Sequence, residues 1–178
     1  MIIYLDMDGV LADFFKKYAS DNDRSHWKYI EDHEEALSRL RNTDFFYKLE
    51  AFSSSETLVK GVDELSRKYT VNWGICSSPL RNDRDNSAFW KRKWLKKHGF
   101  MPDIKNLIFT SQKENFATNT IDGSSNILVD DKPENIRKWK IKGGIGLLYQ
   151  ASRGSVHSSI ANAEILLKNI ETKLKESV

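Results

Sequence analysis

Five short apolar runs punctuate an otherwise polar chain: "IIYLD" (2–6), "YTVNWGIC" (69–76), "NLIFT" (106–110), "NILVD" (126–130) and "GIGLLY" (144–149). Runs of this length and continuity are expected of strands buried on both faces of a parallel sheet. The stretches between them repeat apolar residues at helical spacing. "SSSETLVKGVDELSRKY" (53–69) puts Leu58, Val62 and Leu65 on one face, behind serines suited to an N-cap. In "NSAFWKRKWLKKHGF" (86–100), Phe89, Trp90, Trp94 and Leu95 recur at helical spacing and Gly99 is placed to stop the helix. "KPENIRKWKIK" carries Pro133 in a first-turn position, and "SSIANAEILLKNIETKL" (158–174) closes the chain as an amphipathic helix. Strands alternating with helices mean βαβ units, and hence an α/β fold built on a doubly wound, parallel, five-stranded sheet. One interval breaks the rhythm. From Phe14 to Phe52 the chain is polar and aromatic and too long for a single crossover, so residues 14–52 are expected to form a small helical cap inserted after the first strand. Residues 1–13 and 53–178 would then make up the core.

Composition narrows the picture. A chain of 178 residues, with 39% hydrophobic and 30% charged residues, has an ordinary globular make-up and can bury a sizeable core. Its net charge of +3 favours anionic ligands without reaching the excess expected of a protein that coats nucleic acid. The single cysteine, Cys76, excludes an internal disulfide and a multi-cysteine zinc site, and its place at the end of a buried run suggests an inert core thiol. The chain enters its first strand at once, without a basic segment and apolar h-region, and no apolar run approaches a membrane span. A cytoplasmic location is expected.

Ligands of open α/β sheets bind outside the carboxyl ends of the strands. At those ends stand Asp6 and Asp8 in "LDMDGV", Ser77 and Ser78 in "SSP", Lys113 after "TSQ", and Asp130 and Asp131 in "DDK". Two carboxylates one residue apart repel unless a cation lies between them or one is protonated. Asp6, Asp8 and one or both of Asp130 and Asp131 form a hard-oxygen, histidine-free set that suits Mg²⁺, the expected cofactor. A hydroxyl and an ammonium supply a donor and a point charge for phosphoryl oxygens. In such a set one carboxylate attacks phosphorus, while another protonates the leaving oxygen and then activates water. Phosphoryl transfer asks mainly for positioning and charge neutralisation, and these residue types provide both.

The order D-x-D-G-V, S-S-P, a lysine and D-D resembles the four signature motifs of the haloacid dehalogenase-like (HAD) phosphatases and spans residues 6 to 131. The resemblance implies a Rossmann-like core, with Asp6 as nucleophile and Asp8 as general acid/base. Ser77 would be the motif-two hydroxyl, Lys113 the motif-three lysine, and Asp130 and Asp131 the terminal acidic pair. "DMDGVLADF", "DFFYKLEAF", "ICSSP" and "DDKPENI" are similar, more closely, to the 5'(3')-deoxyribonucleotidases, with serine at position 77 where threonine is usual. That implies a Mg²⁺-dependent enzyme hydrolysing nucleoside monophosphates through an aspartyl phosphate. The alternative is a HAD phosphatase acting on a sugar phosphate or on 3'-phosphate ends of nucleic acid. The partner expected is therefore a small phosphate monoester of the nucleotide class, with no membrane and no stable nucleic-acid partner; a homodimer stays open.

Simpler roles compete for several of these residues. Serines before Pro79 often cap turns, and lysines such as Lys113 are usually solvated. Phe14, Trp27, Phe45 and Phe46 are either cap packing or a stacking surface for a base, Phe14 being favoured as a contact because it follows the acidic turn. His26 and His33 read as cap surface. "KRKWLKKH" (91–98) reads as a solvated helical face with Trp94 packed inward.

Overall fold

In the computed structural model, which describes residues 1–177, the strands are β1 (Ile2–Leu5), β2 (Asn72–Ser77), β3 (Leu107–Phe109), β4 (Ile127–Asp130) and β5 (Ile145–Leu148). They form one parallel sheet in the order β3-β2-β1-β4-β5. All five expected strands are present, trimmed by a residue or more at their ends, except that β2 runs one residue further, to Ser77. The largest trim is at β2, because Tyr69 caps the preceding helix and Thr70 turns with φ of 51° before extension begins.

The helices are α1 (Phe14–Ser20), α2 (His33–Ser38), α3 (Ser55–Lys68), α4 (Arg84–His98), α5 (Pro133–Ile141) and α6 (Val156–Lys175). Pro133 opens α5, and Gly99 ends α4 in the left-handed conformation at φ of 71°, as their positions in the sequence predict. Alternate residues of the strands serve opposite faces. Ile3, Leu5, Ile75, Ile127 and Val129 join Leu58 and Val62 of α3, Trp94 and Leu95 of α4, and Leu166 and Ile170 of α6 in the main core. Tyr4, Cys76 and Leu128 pack on the other side against Ile136 and Trp139 of α5. Fully burying a side chain such as Leu or Ile contributes about 1.5–3 kcal/mol, so these two layers carry most of the folding free energy. The indole N–H of Trp139 donates to the Asn126 carbonyl and that of Trp94 to the Leu49 carbonyl, which leaves neither large ring with an unpaired polar atom.

Residues 14–52 contain α1, α2 and one-turn helices at Trp27–Tyr29 and Phe45–Lys48. Their buried residues, among them Tyr18, Ile30, Leu40, Phe45 and Phe46, belong to the same continuous cluster as the sheet's main face. The bond from Trp94 to Leu49 fixes the far end of this segment to α4.

The strand order places the topological switch between β1 and β4. Leu5 pairs with Val129, and the Asp6 N–H continues the ladder to the Val129 carbonyl. The first residue past β1 and the last residue of β4 are therefore neighbours at the crevice where ligands of such sheets bind.

Candidate active site

The turn after β1 is held by its own backbone. Leu11 and Ala12 both donate to the Met7 carbonyl, and Gly9 donates to the Ala12 carbonyl. Gly9 adopts φ of 80°, and a Cβ there would overlap the Asp131 carboxylate. Glycine is required at this position on both counts. The turn is what separates the two acids: Asp6 faces β4 and Asp8 faces β2 and α4.

Around Asp6, the Met7 N–H donates to Oδ1 at 2.7 Å and Lys113 Nζ lies 2.9 Å from Oδ2. Lys113, almost fully buried, also reaches Asp130 Oδ2 at 2.6 Å. Burial alone would lower the Lys113 ammonium, but Asp6 and Asp130 outweigh it and hold its pKa above the ordinary value. Asp130 is fixed further by Asn135 Nδ2, at 3.0 and 3.1 Å, and by the Lys132 N–H at 2.8 Å. Asp6, Asp130 and Asp131 each bring a carboxylate oxygen within 4.8 Å of the other two. Burial, then Asp6 and Asp130, push the Asp131 carboxyl up to about 7. One ammonium among three carboxylates leaves the cluster short of positive charge. An all-carboxylate set suits a hard divalent cation such as Mg²⁺.

Asp8 has different company. Its Oδ2 accepts from Lys91 Nζ at 2.7 Å, and the same ammonium donates to Ser77 Oγ at 2.9 Å and to the Ser78 carbonyl at 2.7 Å. All three donors of Lys91 are thereby used. The ammonium also lies 4.6 Å from the centre of the Phe46 ring. Asp8 Oδ1 is buried without a partner. Burial raises the Asp8 carboxyl above its ordinary range, Lys91 opposes this, and Asp6 adds to it.

Of the residues singled out in the sequence, Asp6, Lys113, Asp130 and Asp131 converge on one side of the turn, and Asp8 with Ser77 on the other. The Asp8 carboxylate is not among the three that approach one another, because Lys91 holds it toward β2. Ser77 is fully buried against Lys91, whereas Ser78 lines a cavity of about 760 Å³ with Asp8, Phe14, His33 and Phe46. Phe14 stands in an aromatic cluster, edge-on to Phe45 and stacked with Phe46 at 6.2 Å. Trp27 lines a separate cavity of about 430 Å³ with Asp131 and Arg153, away from Phe14. His33 pairs its Nδ1 with the Tyr18 hydroxyl at 3.1 Å. Burial pushes the Cys76 thiol up to about 12, consistent with an inert core role.

Lys91 corrects the reading of residues 91–98 as a solvated face. It is fully buried, on a stripe with Ser87, Ala88, Trp94 and Leu95, while Phe89 points half into solvent. The spacing 87, 88, 91, 94, 95 is present in the sequence, and Lys91 follows this apolar stripe rather than the basic face around it. Arg153 was missed as well. It clamps the carboxylate of Asp13, the N-cap of α1, at 2.8 and 3.0 Å through Nε and 2.5 Å through a terminal nitrogen. No local pattern marks it, since its partner lies 140 positions away.

The sequence matches one family model over residues 1–162, that of the 5' nucleotidase, deoxy (pyrimidine), cytosolic type C proteins. The chain belongs to that family. It is accordingly a hydrolase of the HAD-like 5'-nucleotidase class, acting on phosphoric monoesters. Among solved structures, a hydrolase from Streptococcus pneumoniae TIGR4 superposes with a TM-score of 0.57 at 13% identity, covering 94% of this chain and 97% of that one. It shares the fold. A haloacid dehalogenase-like family protein from Streptococcus pneumoniae gives a TM-score of 0.49 at 14% identity over 92% of this chain and 90% of its own, a looser match that adds nothing to the fold assignment. No curated protein is detectably similar in sequence. No helix among the described residues is long and apolar enough to cross a membrane.

Proposed function

We propose that the chain hydrolyses nucleoside monophosphates, deoxyribonucleotides among them, in the cytoplasm, with Asp6 as nucleophile and Asp8 as general acid and base. The observation that carries this reading is the division of the turn. Asp6 sits beside a carboxylate cluster that needs a cation, while Asp8 is held apart with an unpartnered buried oxygen and a raised pKa.

Asp6 is oriented for attack by the Met7 N–H and by the ammonium of Lys113. Attack on phosphorus forms an aspartyl phosphate and releases the alcohol oxygen. A protonated Asp8 donates its proton to that oxygen, and burial favours the protonated form beforehand. The resulting carboxylate is stabilised by Lys91 and takes a proton from the water that hydrolyses the acyl phosphate. Ser77 and Lys91 act on Asp8 by position, and the Ser78 side of the cavity bounds the phosphoryl oxygens. Asp6, Asp130 and Asp131 would hold Mg²⁺, which when bound neutralises the anionic charge that collects at the phosphoryl group. Residues 14–52 act as the cap, with Phe14 and Phe46 forming the apolar wall against which a base lies.

The test is a phosphate-release screen over nucleoside monophosphates, sugar phosphates and 3'-phosphorylated oligonucleotides, with and without chelator. Nucleotides are expected to give the highest kcat/KM, with activity lost in chelator and restored by Mg²⁺. Sugar phosphates or oligonucleotide ends winning outright would overturn the substrate class, and full activity in excess chelator would overturn the metal.

A further inference from the structure

The cavity beside Asp8 is larger than one phosphate and one base require, and its outer wall is charged. Arg41 and Arg81 line it together, with Lys132 at the β4 end, against the single additional carboxylate of Glu34. Among the described residues none of these three cations forms an ion pair with a carboxylate. The nearby acid, Asp83, is buried and its oxygens are taken up locally, accepting from the Asn42 N–H at 3.1 Å and from Asn86 and Ser87.

The junction that carries them is held by hydrogen bonds, one of which anchors the Arg41 side chain. Arg41 Nε donates to the Arg81 carbonyl at 3.2 Å, and Asn86 Nδ2 donates to the Thr43 carbonyl at 3.0 Å. Together with the Asn42–Asp83 bond, these contacts fasten residues 41–43 to residues 81–86. Asn42 and Asn82 complete the junction in left-handed conformations, at φ of 58° and 60°. Two arginines thus share one cavity wall, the Arg41 guanidinium anchored at the junction and neither guanidinium in an ion pair among the described residues. Like charges so placed oppose folding unless an anion joins them, and a cleft lined by one sign of charge concentrates ligands of the other. Arginine suits a phosphate in particular, since its planar fork matches two phosphoryl oxygens at once.

We propose that the substrate carries a second phosphate besides the one removed, a nucleoside bisphosphate, and that Arg41 and Arg81 bind that second group. The inference rests on the nucleotide phosphatase reading above and specifies its substrate. The transferred phosphate lies at Asp6 and Asp8, the base lies against Phe14 and Phe46, and the remaining phosphate reaches the wall formed where cap and core are fastened.

The experiment compares kcat/KM for a nucleoside 5'-monophosphate, the matching 3',5'-bisphosphate and the matching 5'-phosphorylated dinucleotide, in wild type, R41Q/R81Q and R41K/R81K, with folding checked by circular dichroism. The bisphosphate is expected to exceed the monophosphate by about tenfold in wild type, since a charge-assisted pair is being added. That advantage should shrink as salt rises. R41Q/R81Q should bring the ratio close to one, and the lysine variant should retain part of it. Equal rates on monophosphate and bisphosphate in wild type overturn the proposal while leaving the nucleotidase reading intact, and this arm needs no variant to fold. A ratio unmoved in folded R41Q/R81Q also overturns it, as does a dinucleotide that outruns the bisphosphate. Failure to hydrolyse any nucleotide removes both readings.

Discussion

Asp6 and Asp8 stand two residues apart on one turn, each against a buried lysine, and their surroundings differ in sign. Lys113 is shared between two carboxylates, with a third close by, so the Asp6 side is crowded with negative charge. Lys91 is shared between one carboxylate, a hydroxyl and a carbonyl, so the Asp8 side is nearly neutral and its free oxygen is desolvated. Identical side chains are pushed toward different jobs by what lies beside them. Crowding favours a bound cation beside the attacking carboxylate, while desolvation favours a carboxyl that holds its proton until a leaving group takes it.

The largest expected effect breaks the comparison outright. Asp6→Asn should lower kcat by about 10⁴-fold or more on every substrate, since an amide cannot serve as the attacking carboxylate. Asp8→Asn should cost about 10²–10⁴-fold in turnover on nucleotides, whereas on an aryl phosphate, whose leaving oxygen needs no proton, the aspartyl phosphate should still form and then accumulate. A rapid-mixing measurement of the aryl-alcohol burst decides the matter. Loss of the burst in folded Asp8→Asn would assign Asp8 a role in attack or in structure rather than in protonation.

A smaller effect separates the two lysines. Lys113 and Asp130 are essentially fully buried, so Lys113→Gln leaves two carboxylates without their cation and should cost about 3–5 kcal/mol, near 10 °C in Tm. Lys91→Gln strands only Asp8, whose side chain is 22% exposed and can take up a proton, so the loss should be about half as large. Mg²⁺ should restore much of the Tm in the Lys113 variant and little in the Lys91 variant, because the carboxylate cluster lies on one side only. Thermal melts with and without Mg²⁺ measure this, and equal rescue of both variants would mean that the two halves share one electrostatic environment.

The unequal legibility of these halves in the sequence has a physical cause. β1, β2 and β4 are continuous apolar runs because both their faces are covered, and the polar residues that end them, Asp6, Ser77 and Asp130, stand out by contrast. The Asp6 side was read almost entirely from that contrast. The Asp8 side is built by residues whose type misleads. Lys91 occupies an apolar stripe yet looks like surface among its basic neighbours, and the long aliphatic stem of lysine is what lets it cross that stripe to Asp8. Arg41, Arg81 and Arg153 gain meaning only from partners far along the chain, and no local period encodes such pairings. The same limit applies within residues 14–52. Their aromatics announced a packed element, but only the fold assigns Phe14 to one cavity and Trp27 to the other.

That last distinction supports the smallest prediction and the one most specific to the Asp8 side. Phe14 lines the cavity that contains Asp8, whereas Trp27 lines the one that contains Asp131. A base stacked on an aromatic ring gains about 1–3 kcal/mol in single-strand binders. Phe14 already packs against Phe45 and Phe46, which would retain part of the apolar wall if it were removed, so the lower end applies. Phe14→Ala should therefore reduce kcat/KM for nucleotides by about fivefold relative to an aryl phosphate, this being the ratio that about 1 kcal/mol represents. Trp27→Ala, on the other cavity, should leave that ratio unchanged. The ratio is the quantity to measure, because binding energy from a group remote from phosphorus is expressed in kcat as well as in KM. Equal losses on both substrates in Phe14→Ala would make Phe14 a packing residue, and base recognition would then have to come from the His33 and Leu37 side of the same cavity.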